Sequence, residues 1–114
     1  MRIKQADSVP AEPVNVEGAE GVHIRLLIHE ADGAPNFYMR RFDLAAGGCT
    51  PRHDHAWEHE VYVLAGSGVV AAADGEQRVR AGDCVFIEPG EIHQFRNTGR
   101  EVLKFLCLVP RGAK

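Results

Sequence analysis

The chain lacks any long apolar run. Nowhere does it approach the roughly 20 consecutive apolar residues of a membrane span, and Met1 to Val22 lacks the continuous apolar stretch of a secretory leader. The expectations that follow are a cytoplasmic protein and no membrane partner. Cysteine is scarce. Cys49, Cys84 and Cys107 are odd in number, far apart and form no CxxC pair, so packed free thiols are expected rather than a disulfide frame. Positive charge is not in excess: 13 basic against 16 acidic residues give a formal net charge of -3, which argues against a nucleic-acid partner. Arg40-Arg41 is the main basic doublet. It reads as a solvated or salt-bridged strand end, with substrate-anion binding as the alternative.

Amphipathic helices are missing as well. No capped pattern of helical period spans even ten residues. Motifs of several enzyme classes are absent: no GxSxG elbow, no GxxxxGK[ST] phosphate loop and no HExxH helix. What remains, in 114 residues with 12 glycines, is a single domain of many short strands and turns. Residues 1–22 read as an irregular N-terminal arm, and residues 23–114 as one domain.

The strands are read at His23 to His29, Phe37 to Leu44, His59 to Ala65, Val69 to Ala73, Glu76 to Val79, Cys84 to Ile87, Ile92 to Phe95 and Val102 to Val109. Gly47-Gly48 and Gly66-Ser67-Gly68 read as breaks. Asp74-Gly75 reads as a type I′ hairpin turn. Such a pattern predicts an all-β antiparallel barrel or sandwich. Exposed sheet edges in so small a domain predict a homodimer.

The chemistry lies in a run of histidines. His53 and His55 are two apart, so an extended chain projects them from one face, and His59 shares their parity. His93 starts another strand after the Pro89-Gly90 turn. Imidazoles on rigid strands suit a first-row divalent metal. Phe95 shares strand parity with His93, and Phe105, Cys107 and Val109 share parity on the last strand. Phe37, Met39, Val61 and Val63 are further interior candidates. The candidate pocket lining is Phe37, Met39, Trp57, Phe95, Phe105 and Cys107. Glu58 and Glu60 flank His59, where a carboxylate can orient a ligand from outside.

Residues 35 to 109 resemble the cupin superfamily. Its first motif is G-x5-H-x-H-x3,4-E-x6-G. Gly47, His53 and His55 fit, and the next ligand position falls on His59 or Glu60. Six residues separate His59 from Gly66 and five separate Glu60 from it, which favours His59. Its second motif is G-x5-P-x-G-x2-H-x3-N. Gly82, Gly90, His93 and Asn97 fit, but the proline has moved to Pro89 and Glu88 takes its place. The stretch from His53 to Leu64 is similar to small bacterial single-domain cupins with an all-histidine site.

The resemblance implies a cupin-type double-stranded β-helix, a jelly-roll barrel, with His53, His55, His59 and His93 as metal ligands. Four neutral imidazoles leave a divalent ion's charge uncancelled, which favours an anionic ligand. Mn2+ or Fe2+ would retain open positions; Cu2+, Ni2+ and Zn2+ also suit nitrogen donors, and tetrahedral Zn2+ would be closed. The expected function is an oxidoreductase of dioxygenase type acting on a small-molecule substrate, with dioxygen as co-substrate. The alternative is a non-catalytic cupin that binds a small ligand or metal.

Overall fold

The computed structural model describes residues 1–113. Nine strands form one curled antiparallel sheet: β1 (Glu12–Pro13), β2 (Glu20–Ile28), β3 (Phe37–Cys49), β4 (His59–Ala65), β5 (Ser67–Ala72), β6 (Gly75–Arg80), β7 (Cys84–Ile87), β8 (His93–Arg96) and β9 (Leu103–Pro110). The order is β6-β5-β8-β3-β9-β4-β7, with β2 on the other edge of β3 and β1 beyond it. This is the all-β antiparallel architecture that the sequence predicts. Two single-turn 3-10 segments, Ala6–Ser8 and Glu30–Asp32, are the helical elements among the described residues. No helix there is long and apolar enough to cross a membrane.

Strand period dictates the core. On β9, Leu103, Phe105, Cys107 and Val109 are buried and their neighbours less so. On β4, His59, Val61 and Val63 point inward while Glu60, Tyr62 and Leu64 are exposed. Phe95 and Phe105 stack at 4.4 Å, and Phe42 and Phe105 at 5.4 Å. Aromatic pairs at these separations add to the stabilisation from buried area.

β3 departs from the expectation in two ways. Phe37 and Met39 are expected inside, but Phe37 is 59% exposed and the opposite parity, Tyr38 and Arg40, is buried. An arginine on each parity hides the inward face from a reading based on polarity. The strand also does not stop at Gly47-Gly48. Gly47 takes φ +79, the register against β2 shifts there, and pairing resumes with Cys49 opposite Glu20 on one edge and Arg96 on the other. A bulge of this kind bends the strand, so its first half pairs β9 and its end reaches β8.

The β5–β6 hairpin forms in the register Ala72 to Gly75, but its turn is not type I′. Its loop residues are Ala73 and Asp74, neither has positive φ, and Gly75 takes φ +145 instead. Gly66-Ser67-Gly68 narrows to a single residue, because β5 already starts at Ser67. The expected arm is partly ordered into strands: β1 lies within it and β2 begins at Glu20. Cys84, expected to be packed, is exposed on the edge strand β7, while Cys107 is buried.

Asn97 holds the bend. It is 3% exposed; its amide nitrogen donates to the carbonyls of Leu44 at 2.9 Å and Glu101 at 2.7 Å, and its oxygen accepts from Gly99 N–H at 2.9 Å. An orphaned buried polar group costs about 1–3 kcal/mol. Asn97→Ala should therefore lower unfolding stability by about 3 kcal/mol, read from urea midpoints. A loss below about 0.5 kcal/mol, the usual effect of a surface substitution, would contradict this role.

Candidate metal centre

The two histidine-bearing segments are zipped together by backbone. His53 N–H donates to the His93 carbonyl at 3.1 Å, and His93 N–H returns to His53 at 2.9 Å. Gly90 N–H donates to the His55 carbonyl at 2.6 Å. Thr50 anchors the approach: its N–H donates to the Phe95 carbonyl and its hydroxyl accepts from Phe95 N–H, each at 2.9 Å. Residues nearly forty positions apart are thereby fixed side by side. β4 delivers His59, paired with Ile87 of β7, to the same place.

The rings converge. One donor atom each from His53, His55 and His93 lies within 4.8 Å of the others. His59 falls outside that tight group of donors, but its ring centroid lies 5.1 Å from those of His55 and His93. His53 and His55 lie 4.1 Å apart, and His53 and His93 4.9 Å apart.

Hydrogen bonds set which nitrogen is free. His93 Nδ1–H donates to the Glu91 carbonyl at 2.9 Å, which leaves Nε2 with its lone pair. His59 Nδ1 lies 3.1 Å from Cys107 Sγ, and His59 Nε2 is buried with no partner. A buried, unpartnered imidazole nitrogen is unusual and calls for a ligand.

The site also disfavours charge on three of its imidazoles. Burial, then the neighbouring His93, lowers the pKa of His53. Burial, then His53 and His93, brings His55 down to about 4. Burial, then His93 and Arg40, brings His59 down to about 3. Neutral imidazole is the form that binds a metal. Converging neutral nitrogens, one of them orphaned, fit a divalent ion.

A cavity of about 580 Å³ opens onto the four rings. Its walls include Val14, Val22, Ile24, Phe42, Phe95 and Phe105, with Arg40 and Cys107 near His59. Of the expected lining residues, Phe95, Phe105 and Cys107 are present. Phe37 and Met39 are not, because they lie on the outer parity of β3; Met39 borders a separate hollow with Leu27 and Ile28. Trp57 is not in the wall either. It stacks on His55 at 4.6 Å with the planes 7° apart and packs against the core. Glu58 and Glu60 do not orient the rings; the Glu91 carbonyl and Cys107 take those places. Glu60 is exposed, and burial together with Glu58 raises its pKa.

Arg40 enters the sequence reading only as the anion-binding alternative for its doublet, and Phe42 and the arm residue Val14 do not enter it as site residues. The inward parity of β3 would have found the first two. Nothing in the weak periodicity of the arm points to the third.

Comparisons with known proteins agree with this architecture. The chain is 30% identical over 112 residues to an oxalate-binding protein of Thermotoga maritima, covering 96% of this chain and 93% of that protein. It superposes on a polyketide cyclase from Streptomyces resistomycificus with a TM-score of 0.91 and 37% identity, over 96% of this chain and 79% of that one. A predicted oxalate decarboxylase of Thermotoga maritima gives a TM-score of 0.86 at 27% identity, over 96% and 99% of the two chains. The cupin domain model matches residues 40–109, the segment that carries all four histidines and the bend at Asn97. With fold, motifs and relatives in agreement, the chain belongs to the cupin family.

Proposed function

We propose that the protein is a metal-dependent enzyme acting on an oxygen-bearing organic substrate with a largely apolar body. His53, His55, His59 and His93 would hold the ion, with Mn2+ or Fe2+ favoured. One observation carries the reading: a cavity of about 580 Å³ with aromatic walls opens onto four converging imidazoles, one of which keeps a buried nitrogen without a partner. A metal-binding protein without a substrate would not require such a chamber. The cavity also exceeds the needs of an acid as small as oxalate, and the polyketide cyclase similarity points to larger, ring-forming substrates.

When bound, a divalent ion supplies Lewis-acid polarisation of a substrate oxygen. The chain's own residues do the rest. Phe42, Phe95 and Phe105 hold the apolar body and exclude water. The Glu91 carbonyl fixes His93 in the tautomer that presents Nε2, and Cys107 restrains His59.

The second reading is an oxidoreductase of dioxygenase type. The all-nitrogen donor set favours it, because it leaves the charge of the ion uncancelled. A single probe, 1-phenylbutane-1,3-dione, separates the readings. Lewis-acid chemistry predicts chelator-sensitive exchange of its central C–H protons above the uncatalysed rate, with no oxygen uptake. Oxygen consumption would establish the dioxygenase reading. Binding without either would leave the non-catalytic reading.

The homodimer is part of the proposal. Tyr62 (45%) and Phe86 (58%) are exposed on the adjacent strands β4 and β7, and Leu64 (41%) extends the patch. Pairing would cover these side chains and a sheet edge. Light scattering at micromolar concentration should give twice the chain mass; a monomeric mass contradicts it.

A further inference from the structure

We propose that Arg40 is a specificity-determining residue that takes a negatively charged oxygen of the substrate, which makes the substrate class an organic anion with an aromatic body. The inference rests on the cavity being the substrate site, as argued above, and adds the charge and the residue that reads it.

The doublet Arg40-Arg41 shows what is unusual. Arg41 is paired on the outer parity of β3: Asp43 receives its Nε at 2.9 Å and its Nη2 at 3.0 Å, and Asp7 receives Nη1 at 3.0 Å. Arg40 lies inside, opposite Cys107 of β9, and is only 5% exposed. Its Nη2 donates to Cys107 Sγ at 3.2 Å, and its guanidinium carbon sits 5.2 Å from the Phe42 ring centre. Its Nε is buried with no partner. Among the described residues no carboxylate forms an ion pair with it.

A thiol is a weak acceptor, and an aromatic face offsets only part of a charge. Buried charges are normally paired, because an uncompensated one is costly. The groups around Arg40 do not compensate it. The rings of His55 and His59, which share the cavity, offer it no anionic partner. The one carboxylate on the cavity lining, Glu17, is exposed and makes no ion pair with Arg40. A cation is thus held in a cavity whose one carboxylate does not pair with it. A substrate carboxylate or phenolate would supply it, with its ring system against Phe42, Phe95 and Phe105. A planar guanidinium suits such oxygens through paired hydrogen bonds.

The probes are 1-naphthoate and its neutral counterpart 1-naphthamide, titrated calorimetrically into metal-loaded and chelator-stripped protein. The wild type should prefer the naphthoate in both forms. Arg40→Met should weaken naphthoate binding about 30-fold or more and leave naphthamide binding within a small factor. Arg40→Lys should retain part of the preference, and it carries the test if Arg40→Met does not fold. With no anion present, Arg40→Met should melt higher than the wild type, because an unpaired buried charge is replaced by an apolar side chain.

Four results would overturn the proposal. They are equal affinities of the wild type for the two probes, equal loss of both in Arg40→Met, no binding of either, or an Arg40→Met that folds and yet melts below the wild type. The proposal and the metal reading fail separately. If stripping removes no metal, the histidine reading falls, while the naphthoate preference still decides the role of Arg40.

Discussion

His59→Ala is expected to empty the metal site, while Glu60→Ala leaves metal content at the wild-type level. The two residues are adjacent, and strand period alone sends them opposite ways. His59 is buried at the cavity, with Nδ1 against Cys107 and Nε2 unpartnered. Glu60 is exposed on the outer face, opposite Phe86 of β7. Even an outer partner of a ligand changes metal affinity by about 10–100-fold, and a lost ligand should exceed that. Mass-spectrometric metal analysis of both purified variants gives the answer. The folding control is a thermal melt of the metal-stripped proteins. His59→Ala should not melt far below the wild type there, because the ring it removes has an unsatisfied buried nitrogen. Equal metal retention in His59→Ala and wild type would reject the ligand assignment, as would loss of metal in Glu60→Ala.

The metal-free protein should lose stability steeply as pH falls from about 6.5 towards 4. In the unfolded chain an imidazole titrates near 6.5. In the folded protein His55 is held down at about 4 and His59 at about 3, mainly by burial. Between those values the unfolded chain takes up protons that the folded one refuses. Linkage then removes at most about 1.4 kcal/mol per pH unit for each such ring, less for the more solvent-screened His55, and His53 adds in the same direction. Above pH 6.5 both states are uncharged and the effect vanishes.

Carboxylates act in a different window. Asp7, exposed, and Asp32, partly buried, have pKa values lowered by hydrogen bonds to Arg41 and Lys4, so what they contribute is lost only as pH falls below about 4. Urea midpoints at pH 7, 6 and 5, with and without metal, would test this. The metal-free slope should flatten in a His55→Gln, His59→Gln double variant, and bound metal should move the loss to lower pH. A metal-free protein equally stable at pH 7 and 5 contradicts the burial of uncharged imidazoles.

Much of this was legible in the sequence where period and polarity agree. On β9 every second residue is apolar and buried, and on β4 the pattern His59-Val61-Val63 points inward as read. The histidines stand out because few structural reasons place three of them within seven residues. Reading failed where polarity and burial part company. Arg40 and Arg41 are both buried, so β3 shows no polar face, and Phe37 and Met39 were assigned to the wrong side. Partners distant along the chain were also out of reach. His59 meets Cys107 across 48 positions, and nothing in either neighbourhood announces the contact. Nor did Asp74-Gly75 give the turn its composition suggests, because the hairpin closes one residue earlier, on Ala73 and Asp74.

The most direct test of the account is X-ray absorption at the metal edge of the purified protein, before and after addition of 1-naphthoate. Scattering from four imidazole nitrogens is expected, together with light oxygen neighbours that change when the ligand is added. A closed shell of four nitrogens that the ligand leaves untouched, or fewer than four imidazoles on the ion, would contradict it.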